Sequence, residues 1–184
     1  MKRILTILLI FTVMLIIPGC GGGAADSGPD IDPDQELIFI VDLCFINAEY
    51  AITGNEELSA LSYFQNHNMF SVQGKQYFTL LDVMLRDMPF AEDSGIDTMI
   101  DDRIQFRSVE VKDGTAFVDI AGAGLSGSSL EEGLLISQIV SSLRGSFEEI
   151  ERVQFLVDSK VPETLMGHYD TSEPFEEGIY PTGL

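Results

Sequence analysis

Side chains able to do acid–base, metal or nucleophilic chemistry are plentiful in one kind and scarce in every other. Thirty Asp and Glu stand against 10 Lys and Arg, two histidines and two cysteines. His67 lies in the polar stretch Gln65-Asn66-His67-Asn68, and His168 in Gly167-His168-Tyr169-Asp170. Two histidines cannot build a zinc site by themselves, and no HExxH, CxxC or EF-hand spacing occurs. A GxSxG elbow, a Walker loop and a dinucleotide fingerprint are also missing; the glycines at 21–23 and 122–127 lack the flanking lysine or strand context. Adjacent acids recur at Asp101-Asp102, Glu131-Glu132, Glu148-Glu149 and Glu176-Glu177. Neighbours on a helix diverge by about 100°, so each pair reads as a solvated face and not as an acid–base couple. The loop Glu92-Asp93-Ser94-Gly95-Ile96-Asp97, with Asp101 and Asp102 near, is acidic enough to hold calcium weakly, yet its spacing matches no oxygen-ligand loop. The expectation is no catalytic residue, no metal site and no cofactor.

Cysteine chemistry points elsewhere. Ile16-Ile17-Pro18-Gly19-Cys20 closes an apolar run that begins behind Lys2 and Arg3. Ile4 to Ile17 spans 14 residues with only Thr6 and Thr12 polar, and the small Gly19 precedes Cys20. A spanning helix needs about 20 apolar residues, so this run is too short to be a stable anchor. It reads as a bacterial lipoprotein signal over residues 1–19, with Cys20 the first residue of the mature chain and the site of lipidation. Two or three acyl chains give durable attachment where one gives only marginal binding. With Cys20 acylated, Cys44 has no intramolecular partner. It lies inside the apolar Val41-Asp42-Leu43-Cys44-Phe45-Ile46 with no cation beside it, and reads as core filler.

Loss of residues 1–19 leaves 165 residues, enough for one domain with a real core. Lys2 and Arg3 leave with the signal, so 8 cations face 30 acids and the net charge moves from −20 to −22. Nucleic acid is excluded as a partner by that balance, because binding it depends on cations that neutralise phosphates. Anionic headgroups repel the same surface, which leaves membrane attachment to the lipid. The expected location is the outer face of the cytoplasmic membrane.

The elements that must position everything else follow from hydropathy. Residues 20–36 are the lipidated cysteine and an acidic tether, with two prolines and Asp26, Asp30, Asp32 and Asp34; as a flexible coil it reaches on the order of 20 Å. Order is expected over 37–184. Residues 37–46 read as a strand covered on both faces, Thr53-Gly54-Asn55-Glu56 as a turn, and Leu58 to Phe64 as a further strand. Tyr77, Leu80, Leu81, Met84, Leu85 and Met88 form one helical stripe over Lys75 to Met88, ended by Pro89. Ile104 to Ile120 reads as a hairpin about Asp113-Gly114, with a bulge near Arg107-Ser108 and a half-buried second strand.

A second helix follows the Gly/Ser loop, with Ser129 and Glu132 as a capping box and Leu130, Leu134, Leu135, Ile139, Val140 and Leu143 as its buried face. Gly145 suits its exit. Val153 to Val157 is then a last strand, parallel to its predecessor across the helix. The fold class is α+β: one domain, a mixed β-sheet with two helices on one face, in the order β-β-α-β-β-α-β. The uncovered strand edge and the hairpin's Thr115 and Phe117 are the candidate contact surfaces, the alternative for Phe117 being packing under a loop or the tail.

From about Val41 to Phe175 the chain resembles the GerMN domain of the sporulation and spore-germination lipoproteins. The resemblance is carried by Ser108-Val109-Glu110-Val111-Lys112-Asp113-Gly114-Thr115-Ala116-Phe117-Val118-Asp119, by Gln138 to Leu143, by Val153 to Asp158, and by Gly167-His168 and Pro174-Phe175. Departures fall at Leu43-Cys44-Phe45, where an aromatic pair is usual, at Ser142 for threonine and at Ser159 for glycine; one copy of the domain fits where several members carry two. The resemblance implies a non-catalytic α+β module, related in architecture to ring-building domains, that binds or assembles with an envelope protein or with itself in sporulation or germination. It carries over no catalytic residue. Alternative readings are a solute- or cation-binding lipoprotein and a cell-wall hydrolase with two inward carboxylates.

Overall fold

Runs of Ile, Val and Phe favour extended backbone, and the first such run pairs along almost its whole length. The structure, a computed structural model, describes residues 35–87, 90–91 and 93–180; Cys20 and the chain up to Asp34 lie outside them. Strand β1 (Glu36–Asn47) is antiparallel to β2 (Leu61–Val72), with Ile38 opposite Phe70 and Ile46 opposite Leu61. Their register breaks between Val41 and Leu43, where Asn66 takes a φ of 61° and donates its N–H to Asp42 Oδ1 at 3.0 Å. A six-residue helix, α1 (Ala48–Thr53), joins the two strands. Asn47 caps it by accepting from the N–H groups of Glu49 and Tyr50, and Gly54 ends it at a φ of 63°. A two-residue strand, β3 (Ile96–Asp97), completes a sheet of order β2-β1-β3.

The second sheet is built on the Asp-Gly hairpin. β4 (Phe106–Lys112) and β5 (Thr115–Ile120) turn through Asp113 (φ 49°) and Gly114 (φ 73°), the positive angles that such a reversal needs. The expected bulge is present, between Phe106 and Ser108. Helix α3 (Ser129–Ser146) then carries the chain to β6 (Arg152–Val157), which pairs parallel to β5 as the strand–helix–strand pattern requires.

The α+β class holds, with four differences in detail. Two three-stranded sheets replace the one mixed sheet expected, β2-β1-β3 and β4-β5-β6. β5 is central in its sheet, so Thr115, Ala116, Val118, Asp119 and Ile120 are all buried where one solvated face was expected. β1 is covered only in its second half; Ile38 and Ile40 remain 61% and 57% exposed. The helix read over 75–88 is one α turn, α2 (Gln76–Thr79), followed by a π turn (Leu80–Met84) closed by Leu85 N–H to the Leu80 carbonyl at 3.0 Å. Met88 and Pro89 lie outside the described residues. One apolar cluster still draws on both sheets and both helical segments, with Leu43, Phe45, Leu80, Val118, Ile139 and Phe155 at its centre.

Candidate functional site

Helix α3 is buried almost all round, which forces an answer for each of its polar side chains. Leu134, Leu135, Ile136, Ile139, Val140 and Leu143 are buried, and so are Glu132, Ser137, Gln138 and Ser142. A buried polar atom without a partner costs free energy. Among the described residues, no buried side-chain nitrogen or oxygen is left unpartnered. The four buried polar residues of α3 hold four different segments.

Ser142 and Ser146 hold β1. Ser142 Oγ accepts from Cys44 N–H at 3.1 Å and donates to the Cys44 carbonyl at 3.5 Å. Ser146 Oγ accepts from Asp42 N–H at 3.0 Å and donates to the Asp42 carbonyl at 2.8 Å. Four residues along a helix rise about 6 Å and two along a strand about 6.7 Å, so two hydroxyls one turn apart can serve alternate residues of a strand edge. The hydroxyls stand where a neighbouring strand would otherwise pair. Gln138 Oε1 accepts from Met99 N–H at 2.8 Å, and its Nε2 donates to Thr98 Oγ1 at 3.0 Å. Ser137 Oγ accepts from Tyr180 N–H at 2.9 Å while donating to the Gly133 carbonyl at 2.7 Å.

Glu132 gathers the loop after β6. Its Oε1 accepts from the N–H groups of Leu165 (2.9 Å) and Met166 (2.8 Å), and its Oε2 from His168 N–H (2.8 Å), with His168 Nδ1 at 3.0 Å. The carboxylate is fully buried, which corrects the solvated-face reading of Glu131-Glu132 for one of the two. The capping box sits one residue earlier than expected, on Ser128 and Glu131. The Ser128 N–H and then its hydroxyl hold the Glu131 carboxyl below its ordinary range. Ser-Ser-x-Glu-Glu permits either register, and the loop's demand for Glu132 decides it. A carboxylate that orients an imidazole can serve a general base. Here its acceptor directions are spent on backbone, so the pair fastens the loop.

The sequence-derived candidates are placed as follows. Thr115 is 5% exposed and accepts from Arg152 Nε at 2.8 Å. Phe117 is half-buried, between Glu110 of β4 and Gln154 of β6. Cys44 is buried, and burial pushes its thiol up to about 12, so it is unreactive. Cys20, the expected lipidation site, and Glu92 of the acidic loop lie outside the described residues. Asp101 is engaged by Arg103, and Glu149 accepts from the Tyr77 hydroxyl at 2.8 Å. Among the described residues, no three His, Cys, Asp or Glu side chains are grouped to hold a metal. Gly145 lies inside the helix and not at its exit; a Cβ there would collide with the Tyr63 hydroxyl, which donates to the Ser141 carbonyl at 2.7 Å.

Two open cavities flank Tyr180. One of about 400 Å³ is lined by Tyr63, Ser141, Arg144, Gly145 and Glu177, and one of about 330 Å³ by Tyr50, Leu58 and Ala60. Among the described residues, neither Arg144 nor Glu177 is within ion-pair distance of an opposite charge. Sequence reasoning missed the α3 sockets; the available signal was a set of polar residues recurring inside the helix's apolar stripe.

Comparison with known proteins agrees with this architecture. The family model described as Germane, sporulation and spore germination, matches residues 50–163. Among solved structures, the tandem GerMN domains of the sporulation protein GerM from Bacillus subtilis are 15% identical with a TM-score of 0.51. That match covers 83% of this chain but 48% of the other, so the chain spans about half the tandem protein's length. The first GerMN domain of the same protein aligns at 11% identity and a TM-score of 0.49, over 77% of this chain and 96% of that one. A candidate lipoprotein from Clostridium perfringens aligns at 17% identity and a TM-score of 0.49, over 77% and 87%. No curated protein matches the chain.

Proposed function

From the premise that this chain, a GerMN-domain protein, belongs to the sporulation and spore germination family, we propose that it is a membrane-anchored envelope lipoprotein that binds or assembles with other molecules and performs no catalysis. Lipid on Cys20 holds it to the outer face of the cytoplasmic membrane, and its work lies in sporulation or germination. The observation that supports a non-catalytic role is the spending of its interior polar groups. Glu132, Ser137, Gln138, Ser142 and Ser146 each hold a segment of backbone in place. What remains for partners is surface: strand β2 at the edge of its sheet and the half-buried Phe117. Crosslinking in intact cells followed by mass spectrometry tests the reading. An envelope protein or a second copy captured through β2 or Phe117 supports it; recovery of monomer alone at every growth stage contradicts it.

One observation favours solute capture as a second reading. Arg144 and Glu177 line one cavity of about 400 Å³, within the size range of small-molecule sites, and could take the two charges of a zwitterion. Thermal melts with amino acids and short peptides decide it: a ligand-dependent rise in Tm that Arg144→Gln abolishes supports capture, and no rise removes it.

A further inference from the structure

The β1–β2 ribbon presents three large apolar side chains to solvent on one face. Ile38 is 61%, Ile40 57% and Phe70 59% exposed, and Ile38 stands directly opposite Phe70 in the register. Alternation explains the grouping: Leu37, Phe39 and Val41 turn inward, Phe39 and Val41 against the core, and the residues between them turn outward. Apolar side chains scattered singly over a surface are ordinary, whereas a contiguous group on one strand pair marks a contact. The first of the three lies 18 residues after Cys20 and two after the start of β1.

We propose that this face rests on the lipid bilayer, as a second membrane contact beside the acyl chains. The inference rests on the anchored reading of Cys20. Fifteen residues of Gly- and Pro-rich chain, Gly21 to Gln35, separate Cys20 from Glu36, and a flexible coil of that length would span about 20 Å on average. A surface tethered so closely meets the membrane at an effective concentration in the mM range, so a contact too weak to recruit a free protein is populated here. A second copy of the chain is the poorer occupant, because each copy carries a net charge of −22 once the signal is lost. The same charge sets the lipid preference. The face should engage zwitterionic headgroups, and anionic lipid should weaken the contact, opposite to the behaviour of basic peripheral proteins.

The chain contains no tryptophan, so one substitution gives a clean reporter. The lipidated mature protein carrying Phe70→Trp is reconstituted on phosphatidylcholine vesicles with brominated acyl chains, beside an Ile52→Trp control on exposed α1. The expected result is that the Phe70→Trp indole shifts to the blue and loses about half its emission while the control keeps its own. Ile38→Ser in the Phe70→Trp background should restore most of the emission, as should replacing part of the phosphatidylcholine with phosphatidylglycerol. Protein that fails to float with the vesicles overturns the anchor and this inference together. Protein that floats with the Phe70→Trp indole still in water overturns this inference alone, as does a blue shift that appears without vesicles and grows with protein concentration.

Discussion

His168 places Nδ1 3.0 Å from Glu132 Oε2, and its own backbone N–H donates to that same oxygen at 2.8 Å. Side chain and main chain of one residue thus close on a single buried carboxylate, which also takes the N–H groups of Leu165 and Met166. Glu132→Gln would turn an amide N–H₂ toward backbone donors. It should cost about 3 kcal/mol, because buried charged acceptors lose most when a partner is mismatched. His168→Ala keeps the backbone contacts, and the imidazole is 37% exposed, so its loss should be about 1 kcal/mol or less. Urea unfolding of both variants checks the order; equal losses would mean that the ring, not the backbone, is what Glu132 holds.

The serine clamp on β1 can be tested residue by residue. Ser142→Ala and Ser146→Ala should each cost about 1–3 kcal/mol by stranding the N–H of Cys44 or Asp42. Hydrogen exchange gives the sharper readout. The Cys44 amide should lose protection in the first variant and the Asp42 amide in the second, with the β1–β2 pairing on the other side of the strand unchanged.

Much of this was legible beforehand, and the failures share a cause. The Asp113-Gly114 turn, the bulge near Ser108, the helix over 129–146 and the parallel β6 follow from local chemistry: turn residues, alternation, and a stripe at helical spacing. What local pattern cannot reveal is which strand edge a helix will occupy. Ser142 and Ser146 read as ordinary small polar residues, yet by closing the edge of β1 they divide the expected single sheet into two. Glu132 likewise reads as half of a solvated acidic pair until the loop at 165–168, more than thirty residues later, folds over it. Gly145 passes for a helix stop because sequence does not disclose that Tyr63 lies against it.

That last contact yields a coupling prediction. Gly145→Ala drives a Cβ into the Tyr63 hydroxyl and should destabilise by about 1–3 kcal/mol, as overpacking does. Tyr63→Phe removes the obstructing oxygen along with its bond to the Ser141 carbonyl. In a double-mutant cycle the pair should therefore cost less than the sum of the single changes; strict additivity would contradict the contact.

Alkaline stability carries a signature of its own. Burial raises the Cys44 thiol from 9.0 to about 12 and the Tyr63 phenol from 10.0 to about 12. Above pH 9 the unfolded chain releases protons that the folded chain retains, so stability falls as pH climbs from about 9 toward 12. The Cys44 share of that slope is about 1.4 kcal/mol per pH unit. Cys44→Ala should flatten the limb between pH 9 and 10. An unchanged slope would place the titrating groups elsewhere.

The anchored, non-catalytic module stands or falls on Cys20. The most direct test is the mass of the amino-terminal peptide from protein extracted out of membranes. A peptide beginning at Cys20 and carrying diacylglyceryl on sulfur is the predicted result. A peptide that retains Lys2 and Arg3, or one cut elsewhere with a free Cys20 thiol in aqueous-phase protein, would contradict it.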